Sequence, residues 1–178
     1  MGSAPTNIRL IEVTDAEAIA EHVKRDAEAL TRWEPARQPE YYTPEGQAAR
    51  IGRILKKHDT GELWPAVVLA ADGAVIGQVT VQGITLGPLR KGYLGYWIGS
   101  THEGMGHATR AVGLILGVMR EELRLHRAEA FTQIDNVGSE RVLRRNGFGV
   151  FGVARSHIFI DGQWRDQVMW ELILDGER

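Results

Sequence analysis

A stretch near the middle of the chain has the residue types of an anion-binding turn. Residues 96–109 read YWIGSTHEGMGHAT, so an aromatic and apolar segment is followed by glycines at 99, 104 and 106 and then by a helical pattern. Glycine lets the backbone wrap closely around a ligand, and the first turn of a helix points unpaired N–H groups outward. Such a turn can bind phosphate oxygens without any charged side chain. The alternative interpretation is an ordinary glycine-rich turn between a strand and a helix.

Two common nucleotide-binding loops fit this stretch poorly. A Walker A loop requires Gly-Lys-Ser/Thr, but Gly106 is followed by His107 and Ala108. The dinucleotide fingerprint requires a third glycine, and Thr109 stands at that position. The stretch therefore favours a pyrophosphate held on a different scaffold.

A second informative stretch, residues 135–148, reads DNVGSERVLRRNGF. Together with the glycine turn, and at this separation, it resembles the GNAT superfamily of acyl-CoA-dependent N-acyltransferases, and more narrowly the RimJ/RimL type that acetylates protein N-termini. The glycine loop of that family reads Arg/Gln-x-x-Gly-x-Gly/Ala, which residues 103–108 match except at the first position. Its later motif, Asn-x-x-Ser-x-x-Val-Leu-x-x-x-Gly-Phe, is matched by Asn136, Ser139, Val142, Leu143, Gly147 and Phe148. The resemblance is dense over residues 92–174 and weak before them.

The resemblance implies how acetyl-CoA would be bound. The backbone at the end of the strand, at Trp97, Ile98 and Gly99, would pair with the pantetheine arm and polarise the thioester carbonyl. Glu103 stands where the family has Arg or Gln, and its carboxylate would repel a pyrophosphate unless the side chain turns to solvent. The pyrophosphate would be held by the turn and the start of the helix, at Gly104, Met105, Gly106, His107, Ala108 and Thr109.

The resemblance also implies catalytic and binding roles for two residues of the second motif. Asn136 would hydrogen-bond the pantetheine, although its type and position suit a helix N-cap equally well. Ser139 would lie near the sulfur and could protonate the leaving thiolate. The alternative for Ser139 is a solvated serine in the first turn of a helix.

The reaction would be a direct attack of a neutral amine on the thioester, because the chain has no cysteine for a covalent acyl-enzyme. An α-amino group has a pKa of about 7.7–8.0 and a lysine side chain about 10.4, so a site without a strong base suits an N-terminal amine better. RimL-type enzymes are thought to use a glutamate in the strand after the second motif, and Ile158 aligns with it here. Its neighbour His157 is a candidate base only if a bulge brings it to the same face. Deprotonation through water is the alternative.

The acceptor amine would be met by the N-terminal half of the chain. Residues 31–42 lack a clear period and carry two prolines and several aromatics, so Trp33 and Tyr41 are candidate substrate contacts. The alternative is that these aromatics pack into the core. His102 and His107 have no third ligand in the sequence pattern, so no metal site is expected.

These residues must be positioned by a single α/β domain of the α+β type. Hydrophobic periodicity and turn signals predict a mixed, mostly antiparallel sheet of about seven strands flanked by about four helices, and the resemblance implies the GNAT acyl-CoA N-acyltransferase fold. The domain is expected to span residues 8–175, with residues 1–7 as a disordered or vector-derived end. The predicted strands are 8–13, 66–71, 75–84, 92–98, 127–133, 150–160 and 164–174, and the predicted helices are 16–30, 44–58, 106–125 and 137–146.

The amino-acid composition limits the classes of partner that can be expected for the chain. The 178 residues carry a formal net charge of −2 and no cysteine, so nothing predicts nucleic-acid binding, a membrane surface or disulfides. The N-terminus lacks the features of a secretory signal, and no apolar run has the length of a membrane span. We therefore expect a soluble cytoplasmic protein that binds acetyl-CoA and either a peptide or protein N-terminus or a small amine. Exposed Trp and Tyr on sheet edges would suit a homodimer.

Three functional hypotheses follow. The first is an N-acetyltransferase of a protein or peptide N-terminus, with a small-molecule amine such as an antibiotic as a variant of the same chemistry. The second is a non-catalytic acyl-CoA-binding sensor, which Glu103 and the missing glutamate favour. The third is a nucleotide-binding protein that uses Gly104 and Gly106. Asn136 and Ser139 favour the first.

Overall fold

The computed structural model describes residues 5–174, which form one seven-stranded sheet with helices on both faces. The strands are β1 (Asn7–Leu10), β2 (Trp64–Leu69), β3 (Val75–Thr85), β4 (Lys91–Ile98), β5 (Arg127–Gln133), β6 (Gly149–Ile160) and β7 (Gln163–Ile173). The helices are α1 (Ala16–Arg25), α2 (Ala27–Leu30), α3 (Pro44–Asp59), α4 (His107–Glu121) and α5 (Val137–Arg145).

The sheet has the order β1-β2-β3-β4-β5-β7-β6, and neighbouring strands are antiparallel except for β4 and β5. Asp-Gly turns join β2 to β3 and β6 to β7. Their glycines, Gly73 and Gly162, have φ angles of 86° and 68°, which glycine adopts without a steric cost. The predicted mixed, mostly antiparallel sheet is confirmed.

The main core lies between one face of the sheet and α4 with α5. α4 contributes an apolar stripe to it, in which Val112, Ile115 and Met119 are fully buried. Burying side chains of this size contributes roughly 1.5–3 kcal/mol each. Because this stripe fixes α4 behind the centre of the sheet, the helix begins just beyond the end of β4.

A second, smaller core lies on the opposite face, under α1 and α3. It contains Ile19 and Val23 of α1, Ile51 of α3 and Val67 of β2, all of them fully buried. α3 begins as the sequence predicts, with the Thr43 hydroxyl accepting from the backbone N–H of Gly46 at 3.1 Å. The two cores therefore pack against opposite faces of the sheet.

The predicted helix over residues 16–30 is broken in two, which gives five helices instead of about four. The break is at Asp26, whose backbone leaves the helical region (φ −96°, ψ 9°). Its carboxylate accepts hydrogen bonds from both the backbone N–H and the hydroxyl of Ser100, at 2.9 and 2.5 Å. A contact 74 residues away in sequence therefore sets this helix end, and local periodicity does not register it.

The first strand begins one residue earlier than predicted and ends three residues earlier. Asn7 is already in β1, and the Thr6 hydroxyl bonds the His107 ring. β1 ends at Leu10 because the Asp15 carboxylate accepts the N–H of Glu12 and turns the chain into α1. The predicted disordered residues 1–4 and the predicted domain end at residue 175 lie outside the described residues.

Within residues 5–174, no helix combines the length and the apolar character that a bilayer crossing requires. The same part of the chain holds no group of three or more potential metal-ligating side chains.

Candidate active site

An opening lies between β4 and β5. The two strands pair only over Lys91–Leu94 and Arg127–Ala130, so residues 95–98 of β4 and 131–133 of β5 run past the end of the pairing. β4 stays paired with β3 on its other side as far as Ile98. An extended ligand that enters the opening can therefore add to β4 as a further strand.

The alternation of β4 decides which backbone groups face this opening. Gly99 donates its N–H to the carbonyl of Ile76 in β3, at 2.8 Å. Because residues two apart in an antiparallel strand point their backbone groups the same way, Trp97 also points its groups at β3. Tyr96 and Ile98 point theirs into the opening. The backbone groups needed for the predicted contact thus face the opening at Ile98 but not at Trp97 or Gly99. Those of Tyr96, which the sequence analysis did not name, face the opening as well.

The glycine turn leads into the N-terminus of α4. Gly104 and Gly106 have φ angles of 73° and 86°, and Gly106 is the residue that precedes the helix. No side chain caps this end, and the first turn of the helix contains no acidic residue. The first N–H groups of α4 are therefore open to an anion, and the helix dipole favours negative charge there.

The other residues of the predicted pyrophosphate loop take different positions. Met105 is exposed, whereas Ala108 and Thr109 are half-buried. His107 is buried with its Nδ1 2.9 Å from the Thr6 hydroxyl, and burial lowers its pKa. Glu103 is exposed and makes no side-chain hydrogen bond or ion pair with the described residues. This placement leaves its carboxylate in solvent, as the sequence analysis required for binding.

Asn136 and Ser139 meet at the start of α5. The Asn136 Oδ1 accepts the N–H of Ser139 at 3.0 Å, so Asn136 is an N-cap. The Ser139 hydroxyl lies 2.7 Å from the Tyr96 hydroxyl, and either can donate. Two neutral hydroxyl groups thus form a hydrogen-bonded pair on the α5 side of the opening.

The environment of Tyr96 keeps its phenol protonated. The side chain packs against the main core, and burial raises its pKa to about 12 despite the hydrogen bond with Ser139. At neutral pH the Tyr96–Ser139 pair can therefore donate a hydrogen bond or pass a proton, but it carries no charge.

His157 lies at a bulge in β6. Three residues of β6, 155–157, oppose a single residue of β7, and Ser156 takes a left-handed conformation (φ 47°). The His157 Nδ1 is 2.8 Å from the Gln167 Oε1, and its ring centroid lies 5.2 Å from that of Phe131. Because Phe131 is the first β5 residue past the β4–β5 pairing, the bulge brings His157 close to the opening. Its role as a base stays a prediction, and Ile158 indeed supplies no carboxylate.

A cavity of about 750 Å³ lies beside the end of β5. Two contacts fasten its wall: Arg32 pairs with Asp135 at 2.6 Å, and Gln133 donates to the Arg32 carbonyl at 2.9 Å. The cavity is polar, with carboxylates and guanidinium groups around one large aromatic ring. Its lining residues are Thr31, Arg32, Gln133, Ile134, Asp135, Asp161, Trp164, Arg165 and Asp166.

The two predicted substrate aromatics are placed apart. Trp33 is half-buried with the Arg32 guanidinium 4.6 Å from its ring centre, next to the cavity wall. Tyr41 packs against the smaller core, and its ring lies between Arg37 at 4.9 Å and Arg50 at 5.7 Å. Tyr41 is therefore a core aromatic whose ring also meets charged groups, and substrate contact by Trp33 or Tyr41 stays a prediction.

Known acetyltransferases are similar to this chain in sequence. The sequence profile of the family described as "Acetyltransferase (GNAT) domain" matches residues 6–149. The chain is 35% identical to the Bacillus subtilis protein named "Probable N-acetyltransferase YjcK", over 96% of each protein. It is 31% identical to the Escherichia coli [ribosomal protein uS5]-alanine N-acetyltransferase, over 93% of this chain and 86% of that protein.

Two solved structures of related proteins are also similar to this chain in fold. The ribosomal-protein-S5-alanine acetyltransferase of Vibrio fischeri superposes with a TM-score of 0.91 at 31% identity, over 100% of this chain and 98% of that one. RimJ of Mycobacterium smegmatis, in complex with CoA-disulfide, gives a TM-score of 0.90 at 28% identity, over 94% of this chain and 81% of that one.

Proposed function

The chain belongs to the GNAT family of acetyltransferases and is an acetyl-CoA-dependent N-acetyltransferase, and we propose that its acceptor is the α-amino group of a protein. The observation that carries this proposal is the opening between β4 and β5, which has a free helix N-terminus at one end and a polar cavity beside it. The relatives named for a ribosomal-protein alanine, which resemble this chain over most of its length, support the same acceptor class.

In the proposed complex the coenzyme spans the opening. Its pyrophosphate lies on the N–H groups at the start of α4, after Gly104 and Gly106. Its pantetheine arm runs along β4 and pairs with the backbone of Tyr96 and Ile98. An N–H of this strand polarises the thioester carbonyl as negative charge develops on its oxygen. Asn136, whose Oδ1 is used as the cap, has its Nδ2 group left to donate to the arm.

The proposed chemistry is one displacement in a ternary complex. The amine nitrogen attacks the carbonyl carbon, a C–N bond forms, and the C–S bond breaks. The coenzyme leaves as a thiolate, which takes a proton from the Ser139 hydroxyl. Tyr96 then returns a proton to Ser139, and water returns one to Tyr96. The amide product loses the extra amine proton to His157 or to water.

The acceptor reaches the thioester from the face opposite α4. The α4 face is filled by the main core, whereas the cavity beside β5 opens the other side. Three aspartates line that cavity against two arginines, so a cationic amine is attracted there before it loses its proton. Positioning next to the thioester then supplies much of the rate.

The test uses two peptides of the same sequence and free thiol release from acetyl-CoA. One peptide has a free N-terminal alanine, and the other has that amine formylated but keeps an internal lysine. We expect thiol release and a mass increase of one acetyl group only with the first. Release with neither peptide, or equally with both, would contradict the proposed acceptor.

A pair of α4 variants tests the coenzyme site. Gly106→Val forces a branched side chain into a left-handed conformation and should abolish acetyl-CoA binding in calorimetry. Gly117→Ala lies on the same helix, where an added methyl group meets nothing within 4 Å, and should bind as the unaltered protein does.

A small polyamine is the second candidate acceptor, because Asp135, Asp161 and Asp166 share the cavity. Spermidine in the same thiol-release assay separates the two candidates. If spermidine is acetylated with a higher kcat/KM than every N-terminal peptide tried, the polyamine replaces the protein acceptor.

Two further parts of the proposal concern the setting of the enzyme. We propose that it works in the cytoplasm, where a ribosomal-protein type of acceptor is made, and that it forms a homodimer through exposed apolar side chains such as Phe159. Sedimentation at several protein concentrations checks the second point.

A further inference from the structure

A polar cluster lies between α3 and the sheet, on the face from which the acceptor approaches. Its centre is Arg50 of α3, whose Nη1 is 3.3 Å from the Gln47 Oε1 and 3.5 Å from the Gln78 Oε1. Gln78 also accepts the indole N–H of Trp97 at 3.2 Å. The cluster therefore joins α3 to the part of β4 that borders the opening.

The charge of Arg50 is not neutralised by a partner. None of the described residues places a carboxylate within 4 Å of its guanidinium, and the nearby Glu34 is paired with Arg37 at 3.0 Å. Burial lowers the pKa of Arg50, although Tyr41 opposes this effect. A half-buried cation without a counter-charge costs free energy, and that cost falls when an anion binds to it.

The guanidinium also has donors to spare. Both hydrogen bonds of Arg50 to other described side chains use Nη1, and both are long for an amide acceptor. Nε and Nη2 make no hydrogen bond with residues 5–174, so one edge of the planar fork is open. This is the edge that a carboxylate binds with two parallel hydrogen bonds.

The cluster lies next to the part of β4 that would hold the thioester. Trp97 lies between Tyr96 and Ile98, whose backbone groups face the opening, and its side chain points to the α1 and α3 face. Arg50 is thus connected through Gln78 to the strand that would hold the thioester. A group bound at Arg50 lies on the acceptor side, away from the pyrophosphate end at α4.

We propose that Arg50 binds a carboxylate of the acceptor, so that the enzyme selects protein N-termini with an acidic side chain among their first residues. This inference rests on the proposed function, since it names the acceptor recognised at the same site. The amine would be drawn towards the aspartate-lined cavity while the carboxylate meets Arg50. An acceptor with both charges would therefore fit better than a simple cation.

The test is a set of hexapeptides with N-terminal alanine, in which Asp or Asn stands at position 2, 3 or 4. We expect one position at which Asp gives a kcat/KM roughly 10–100-fold above Asn, the range for a charge-assisted bidentate contact. In Arg50→Gln that ratio should fall to near one, and Arg50→Lys should keep only part of it because the fork is lost. Arg53→Gln removes an exposed charge from the same helix and is the matched control, which should keep the full ratio.

A binding measurement separates this inference from the proposed function. The Asp and Asn peptides are titrated into the protein saturated with coenzyme A, and their affinities are compared without turnover. Binding that favours Asp without acetylation of any peptide would overturn the proposed function and leave the carboxylate site standing. Equal affinity for Asp and Asn at all three positions, or a preference that survives Arg50→Gln, would overturn the carboxylate site. Thermal unfolding of each variant shows whether it is folded. If Arg50→Gln does not fold, the Asp/Asn ratio measured with Arg50→Lys serves as the test.

Discussion

At the residue scale, the Tyr96–Ser139 pair is the feature that bears most directly on the chemistry. Tyr96 comes from β4 and Ser139 from the first turn of α5, 43 residues later, and their hydroxyl oxygens are 2.7 Å apart. Ser139 is therefore not a freely solvated serine, because the half-buried phenol of Tyr96 fixes its hydroxyl. In the proposed complex this fixed donor lies beside the sulfur, where its position would make a weak acid more effective than its solution pKa would indicate.

Ser139→Ala should lower kcat by roughly 10–100-fold and change the KM for acetyl-CoA little, because the hydroxyl acts on the leaving thiolate. Tyr96→Phe should cause a smaller loss, and the double variant should lose no more than Ser139→Ala alone, since the two hydroxyls act as a unit. Steady-state thiol release measures kcat for the unaltered protein, the two single variants and the double variant. Losses that multiply in the double variant, or a Ser139→Ala enzyme within about twofold of the unaltered one, would remove Ser139 from this role.

At the element scale, the ends of helices and strands decide where the site groups lie. α1 stops at Arg25 because the Asp26 carboxylate is bound by Ser100, which is the residue that follows β4 and Gly99. Gly99 itself must be glycine, since an added Cβ would collide with the His22 ring of α1. α1 thus holds the segment that leads from β4 to the glycine turn before α4.

Asp26→Asn should therefore destabilise the protein by about 1–3 kcal/mol at pH 7 and weaken acetyl-CoA binding. Burial alone would raise the pKa of Asp26, but the hydrogen bonds from Ser100 and Arg25 hold it below its ordinary value. A lowered carboxyl pKa contributes stability above the unfolded-state value of about 3.9, and that stability is lost as the pH falls through the folded-state value. The difference between the two proteins in urea unfolding should shrink below about pH 4. The control is Glu140→Gln, which removes an exposed ion pair with Arg144 and should cost less than about 0.5 kcal/mol at either pH.

The helices and strands also show which features could be predicted from the sequence and which could not. The strands and α3, α4 and α5 were predictable within a few residues because glycines, prolines and hydrophobic periods are local signals. The glycine turn before α4 was predictable for the same reason, whereas its binding of the coenzyme stays a prediction. The break at Asp26, the contact of Tyr96 with Ser139 and the cluster around Arg50 all depend on partners 28 to 74 residues away. No local pattern contains that information, and the direction of the backbone groups of Trp97 and Ile98 likewise follows only from the register with β3.

At the scale of the whole molecule, the sheet consists of two halves joined by a short parallel contact. β1–β4 form one half and β5–β7 the other, and only four residues of each central strand pair across the boundary. The main core packs across this boundary on the α4 side of the sheet. At the opening, the ends of β4 and β5 do not pair with each other. A coenzyme between the halves would complete the hydrogen bonding of β4 and stabilise the folded state by mass action.

Hydrogen exchange followed by NMR should detect this ligand directly. Acetyl-CoA should slow exchange at Tyr96 and Ile98 and at the first amides of α4, but not at Gly99, whose N–H is already bonded to Ile76. Adenosine 3′,5′-bisphosphate, which lacks the pantetheine arm, should protect only the start of α4. Protection of Gly99 in place of Ile98 would show that β4 presents the opposite set of amides to the coenzyme.

The bulge in β6 also limits how copies of the protein can associate at high concentration. β6 is the outer strand of the sheet, and its outward backbone groups could serve as a template for strands of other molecules. Residues 155–157 interrupt that template, because Ser156 is left-handed and three residues oppose one. The register with β7 also shifts at residue 151, so any strand added from another molecule would find only the short runs 149–150, 152–154 and 158–160. This limits fibrous aggregation through the free edge while the exposed side chains of β6 stay accessible.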